Sequence, residues 1–167
     1  MKQRDVVQMN PAEVADFLTR QRSASVATIG RDGQIHLVGM WYAYLDGQIW
    51  LETKGKSQKA VNLRRNDRIS FLVEAGQTYD QLRGVALEGR GTLIEDDPDQ
   101  LWDVCVNIFE RYTGPYSEEM RPFVEAMAKN RVLVRIDVDA TRSWDHRKLG
   151  LPEMPIGGSS AASISEP

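Results

Sequence analysis

Through most of the chain, apolar and polar residues alternate with a period of two, and blocks with a period near 3.6 interrupt this pattern. Asn10-Pro11-Ala12-Glu13 supplies a helix cap, a proline at the first helical position and a glutamate three residues after the cap. Val14, Phe17 and Leu18 then recur at helical spacing, which predicts an amphipathic helix over residues 11–21 that covers an end or face of a sheet. From Ser23 the period drops to two. Ala24 to Ile29 runs into the hairpin turn Gly30-Arg31-Asp32-Gly33, and Gln34 to Leu45 leaves it as a second strand. Asp46-Gly47 turns the chain again into Gln48 to Thr53, so a meander of three antiparallel strands is expected.

The second strand is apolar on both faces. Ile35, Leu37, Gly39, Trp41, Ala43 and Leu45 share one side; His36, Val38, Met40, Tyr42 and Tyr44 share the other. One face is expected to line a barrel interior and the other to meet a helix, a ligand or a second subunit. A short helix over residues 57–66 follows, then a strand from Arg68 to Glu74. A long strand from Gly84 to Ile94 carries Gly89 and Gly91, placed for curvature, a bulge or close backbone approach. Asp97-Pro98 opens a helix bearing Leu101, Trp102, Cys105, Ile108, Phe109 and Tyr112. Gly114-Pro115 breaks it, and Ser117 starts a second helix with Met120, Phe123, Val124 and Met127. Alternating Val132, Val134, Ile136 and Val138 predict a final strand, with Thr141 to Trp144 continuing it.

Together these elements predict a mainly β protein: a closed or nearly closed antiparallel barrel of six strands with peripheral helices, since closure leaves no exposed edges. Residues 1–150 are expected to form one domain. The Pro, Gly, Ser and Ala of residues 151–167 are expected to form a flexible tail, with Leu151 and Met154 available to dock on a partner.

Net charge of -3 and a pI near 5.5 argue against a surface coated in basic charge for nucleic acid. The single cysteine allows no intrachain disulfide, and Met1-Lys2-Gln3-Arg4-Asp5 does not lead into the apolar core of a signal peptide. No apolar run approaches the roughly 20 residues that span a bilayer, so a soluble cytoplasmic protein without membrane partners is expected.

Local charge says more. Between Lys54 and Arg68 stand Lys54, Lys56, Lys59, Arg64, Arg65 and Arg68 against one acid, Asp67. With Ser57 as the helix cap, first-turn amides, a hydroxyl and ammonium groups converge on a phosphate-sized volume. A merely solvated basic helix face, with Ala60 and Leu63 packed below, explains the same residues. A nucleotide P-loop does not, because Gly55-Lys56-Ser57 lacks the earlier glycine, whose place Trp50 holds. His36, Met40, Tyr42 and Tyr44 suit either a flat aromatic ligand or an aromatic dimer surface. Cys105 sits at core spacing, Asp145 and His146 point to opposite sides of a strand, and two histidines with one cysteine make no metal site. No catalytic side chain is marked.

In order, Ala24 to Gly33, Asp46-Gly47, Thr53 with Ser57 to Arg65, and Arg83 to Gly91 resemble the split-barrel family of pyridoxamine 5'-phosphate oxidase-like proteins and F420-dependent reductases. The resemblance covers residues 12–148 and is nearest the F420 branch. It implies a homodimer holding F420, or alternatively FMN, in a groove between subunits. It further implies an oxidoreductase passing hydride from reduced deazaflavin to a small electrophilic substrate. An FMN-binding oxidoreductase and a non-catalytic F420 carrier or storage protein are the alternatives. Carried over by position, Lys59 looks like the phosphate-contacting lysine and Ser57 and Thr53 like neighbouring oxyanion ligands. Lys54 and Lys56 add charge, and Met40 and Trp41 flank the ring. Gln58 stands where the family often has arginine, and Gly39 where it often has proline. The arginine and histidine pairing that marks vitamin B6 oxidation near the C-terminal end is not matched by Arg142, Arg147 and Lys148.

Overall fold

The computed structural model describes residues 2–157. Five α-helices and seven strands follow one another along them: α1 (Gln3–Val7), α2 (Pro11–Arg20), β1 (Ala24–Ile29), β2 (Ile35–Met40), β3 (Ala43–Leu45), β4 (Gln48–Lys54), α3 (Gln58–Arg65), β5 (Arg68–Ala75), β6 (Arg83–Ile94), α4 (Pro98–Tyr112), α5 (Arg121–Ala128) and β7 (Arg131–Asp145). All strand pairs are antiparallel, in the order β2-β1-β5-β6-β7-β4-β3.

This order makes the sheet curl. The edge strands β2 and β3 are consecutive in sequence and joined only by Trp41 and Tyr42, so their facing ends lie within about 11 Å of each other, the reach of three extended residue steps. The sheet therefore wraps round until its two edges nearly meet, forming the expected split barrel. Two local expectations change with it. The predicted strand from Gln34 to Leu45 breaks at Trp41-Tyr42, giving seven strands where six were expected. In place of a three-stranded meander there are two hairpins at opposite edges, β1-β2 and β3-β4. The second turns at Asp46 and Gly47, both at positive φ as a tight hairpin requires.

The break also decides the place of Tyr42. It is fully buried, with its ring edge-on to Phe71 and its hydroxyl 2.6 Å from the Leu18 carbonyl, so it belongs to the core and not to a ligand or dimer face. The Arg111 guanidinium lies over the Tyr42 ring and donates to the carbonyls of Leu18, Thr19 and Gln21, tying the end of α2 to α4. Asn10 and Glu13 form the expected reciprocal cap at the start of α2. Phe17 and Leu18 plug the barrel against Val26, Leu51, Phe71 and Ile136.

β4 shows why strands here are apolar on both sides. Ile49 and Leu51 point into the barrel, while Trp50 joins Ala43 and Leu133 beneath Val104 and Ile108 of α4. On β6 the glycines do what was expected of them. Asp139 of β7 is an extra residue opposite the step from Glu88 to Gly89, and a methyl group on Gly91 would press on Leu63 of α3.

Residues 151–157 have no regular structure and carry exposed Leu151, Met154 and Ile156; the remainder of the predicted tail lies outside the described residues. No helix among the described residues is long and apolar enough to cross a membrane.

Candidate functional site

β4 runs from the barrel wall into a Lys-Gly-Lys turn, and α3 starts at once. Ser57 caps α3, its side-chain oxygen accepting from the Ala60 amide, while the first-turn N–H groups have no partner within the helix. Below the helix, Ala60 and Leu63 are buried in the way an amphipathic helix requires. Asn62 is buried too, donating to the Thr28 hydroxyl at 3.1 Å and accepting from Gln58 at 2.8 Å. These contacts fix the rotation of α3 and hence the direction in which Lys59 leaves it.

The Lys59 ammonium donates to Thr53 Oγ1 at 3.1 Å, and the Thr53 hydroxyl donates to Ser57 Oγ at 3.0 Å. Strand end, cap and helix are thus joined by one polar chain. It opens on a cleft of about 550 Å³ lined by Met40, Trp41, Glu52, Thr53, Lys59 and Arg131, among others. Trp41, 57% exposed, is stacked on Tyr112 with ring centroids 4.3 Å apart, so its orientation is set by α4. A second cleft lies on the other side of the α3 start, with Gln58 and Asn62 facing His36 and the Gly30–Gln34 turn. The half-buried face of β2 serves both: His36 lines one cleft, Val38 and Met40 the other.

Of the residues singled out in the sequence, Lys59, Thr53, Met40 and Trp41 meet at one cleft, and Ser57 is bonded to it through Thr53. Lys54 and Lys56 are exposed and lie outside its lining. Nothing in the sequence marks Glu52 and Arg131. Arg131 opens β7, some seventy residues away, and arrives only because β7 pairs with β4, bringing its guanidinium within 3.1 Å of the Glu52 carboxylate.

Burial governs the charges. It lowers the pKa of Lys59 from the ordinary lysine value, an effect that Glu52 opposes and Arg131 reinforces. It raises that of Glu52 against the attraction of Arg131 and Lys59. Two cations, two hydroxyls and the start of a helix form a donor set that suits a phosphate ester; the carboxylate is the one group that opposes it.

The other candidates are engaged elsewhere. Burial pushes the Cys105 thiol up to about 12, which leaves it protonated and a poor nucleophile near neutral pH. Asp145 pairs with Arg147 at 2.6 Å, whereas His146 Nδ1 lies 2.8 Å from the Tyr79 carbonyl. Arg142 and Lys148 are likewise paired, with Glu88 and Glu13.

Comparison with known proteins agrees with this architecture. The sequence pattern of the pyridoxamine 5'-phosphate oxidase family matches residues 11–145. The crystal structure of the conserved hypothetical protein Rv2991 from Mycobacterium tuberculosis is 58% identical, with a TM-score of 0.92 over 96% of this chain and 100% of that one. An F420 reductase shares the fold at 23% identity, TM-score 0.59, over 75% of this chain and 93% of its own. A FAD-binding protein from Mesorhizobium loti does so at 21% identity and TM-score 0.59, over 81% and 93%. No curated protein matches. By sequence pattern and by fold, the chain belongs to the pyridoxamine 5'-phosphate oxidase family of split-barrel proteins.

Proposed function

We propose that this protein is a flavin-dependent oxidoreductase that seats the phosphate of FMN at the Lys59 cleft. The observation that carries the reading is the polar chain from Lys59 through Thr53 to Ser57, built at the mouth of a flavin-family barrel. Lys59 supplies a charge-assisted donor to the phosphate, and the hydroxyls of Thr53 and Ser57 complete its shell. Met40 and Trp41 offer apolar surface against one side of the ring. A bound flavin supplies the capacity to accept and release hydride, and the protein's part is to hold ring and substrate in register.

The second subunit of a homodimer closes the cleft in this reading. Ile35 at 53% and Leu37 at 67% exposure lie on the outward side of β2, the strand that floors the site, and an apolar strip of this kind suits a partner of the same chain.

F420 is the second reading. Exposed Lys54 and Lys56 beside Lys59 suit its acidic tail better than they suit FMN, and an F420 reductase shares the fold. A carrier would bind either cofactor without passing hydride to any acceptor.

Titration of apo-protein with FMN, F420 and riboflavin tests the proposal. FMN is expected to saturate at micromolar concentration or below, with riboflavin at least about tenfold weaker because it lacks the phosphate. Tighter binding of F420 than of FMN would select the second reading, and no saturable binding of either would overturn both.

A further inference from the structure

Glu52 is the feature of the cleft that phosphate binding does not explain. Its side chain is 17% exposed and faces the same opening as Lys59 and Thr53. Oε2 is sealed from water and accepts no aligned hydrogen bond, although Arg131 Nη1 stands 3.1 Å away. Its attraction to Arg131 is therefore chiefly electrostatic.

The charged and titratable neighbours of Glu52 come from three elements. Arg131 reaches it from β7, Lys59 from α3 and the Cys105 thiol from α4. The thiol is neutral near pH 7, so the free cleft holds two cations and one anion. An arriving phosphate would be drawn to Lys59 and Arg131 and repelled by Glu52 in a site where burial weakens screening.

We propose that Glu52 is the charge-setting residue of this site: it offsets part of the charge of Lys59 and Arg131 while the cleft is empty, and takes up a proton when a phosphate-bearing ligand enters. The inference rests on the flavin-phosphate reading and deepens it, making ligand binding and proton uptake one linked event. The sign follows directly. A bound anion disfavours the ionised carboxylate, so binding raises the pH at which Glu52 titrates. Affinity is then highest where the carboxyl is protonated and falls as pH rises through the window between its free and bound titrations. Burial already holds the Glu52 carboxyl of the free cleft above the ordinary carboxylate value.

FMN titrations of the wild type and Glu52→Gln from pH 5.5 to 8.5 test this, with calorimetry in two buffers of different ionisation heat. The phosphate of FMN titrates near pH 6 in both proteins, so its own effect cancels in the ratio of their affinities. Glu52→Gln is expected to bind FMN about tenfold more tightly at pH 8.5, the advantage shrinking towards pH 5.5, and to lose the extra proton uptake. Glu52→Asp should retain the pH dependence, and riboflavin should show none in any variant. A pH-independent ratio, or weaker FMN binding by Glu52→Gln throughout, overturns the inference while leaving the flavin reading intact. Absence of FMN binding to the wild type overturns both.

Discussion

Lys59→Ala is expected to leave the barrel folded and to weaken FMN binding by about 10- to 100-fold, the range set by losing one charge-assisted hydrogen bond to a phosphate. The fold should survive because the ammonium's hydrogen bond is to the Thr53 hydroxyl at the edge of the core, and the 3.0 Å bond from Thr53 to Ser57 remains when Lys59 is shortened. The buried supports of α3, Ala60, Asn62 and Leu63, are unchanged by the substitution. Calorimetric titration checks the affinity, and circular dichroism the fold. The loss should be confined to the phosphate, so riboflavin, already weak, should bind both proteins alike. Unchanged FMN affinity would remove Lys59 from the site and favour the solvated-helix explanation of its basic neighbours.

Gly89→Ala should act on the fold instead. A methyl group there would stand 2.1 Å from the Asp137 carbonyl oxygen of β7, a backbone atom that cannot swing aside as a side chain can. β6 and β7 form the longest pairing in the sheet, and the Gly89 step is where β7 accommodates its extra residue. Easing the contact means parting the strands at that bulge. We expect a loss of about 3 kcal/mol, at the upper end of ordinary overpacking penalties. In a chain of this length that lowers the melting temperature by about 6–12 °C. Thermal unfolding followed by circular dichroism measures it, and an unchanged transition would mean that β6 and β7 do not approach so closely there.

The elements that the sequence made legible are those whose signals are local. Asp46-Gly47 specifies a tight hairpin by conformation alone, Asn10 and Glu13 cap each other within one turn, and the Ser57 cap with buried Ala60 and Leu63 orients α3. The break at Trp41-Tyr42 was not legible. Alternation continues through it in the sequence, and only the meeting of the two sheet edges turns Tyr42 inward beneath Leu18. The same limit divides the site. Lys59, Thr53 and Ser57 lie within one short stretch, whereas the Glu52–Arg131 pair depends on β7 lying beside β4, a non-local fact that neither residue advertises. Arg111 is a further case, since a lone arginine on an amphipathic helix gives no sign that it will hold two carbonyls of α2 and that of Gln21 just after it.

The central claim is that the Lys59 cleft holds the phosphate of a flavin. Native mass spectrometry of the purified protein, before and after incubation with FMN, tests it most directly when Lys59→Ala is run alongside. The account predicts one FMN per chain on the wild type, released on denaturation, with occupancy sharply reduced on Lys59→Ala at the same FMN concentration. No FMN adduct on the wild type at saturating ligand, or equal occupancy on the two proteins, would contradict it.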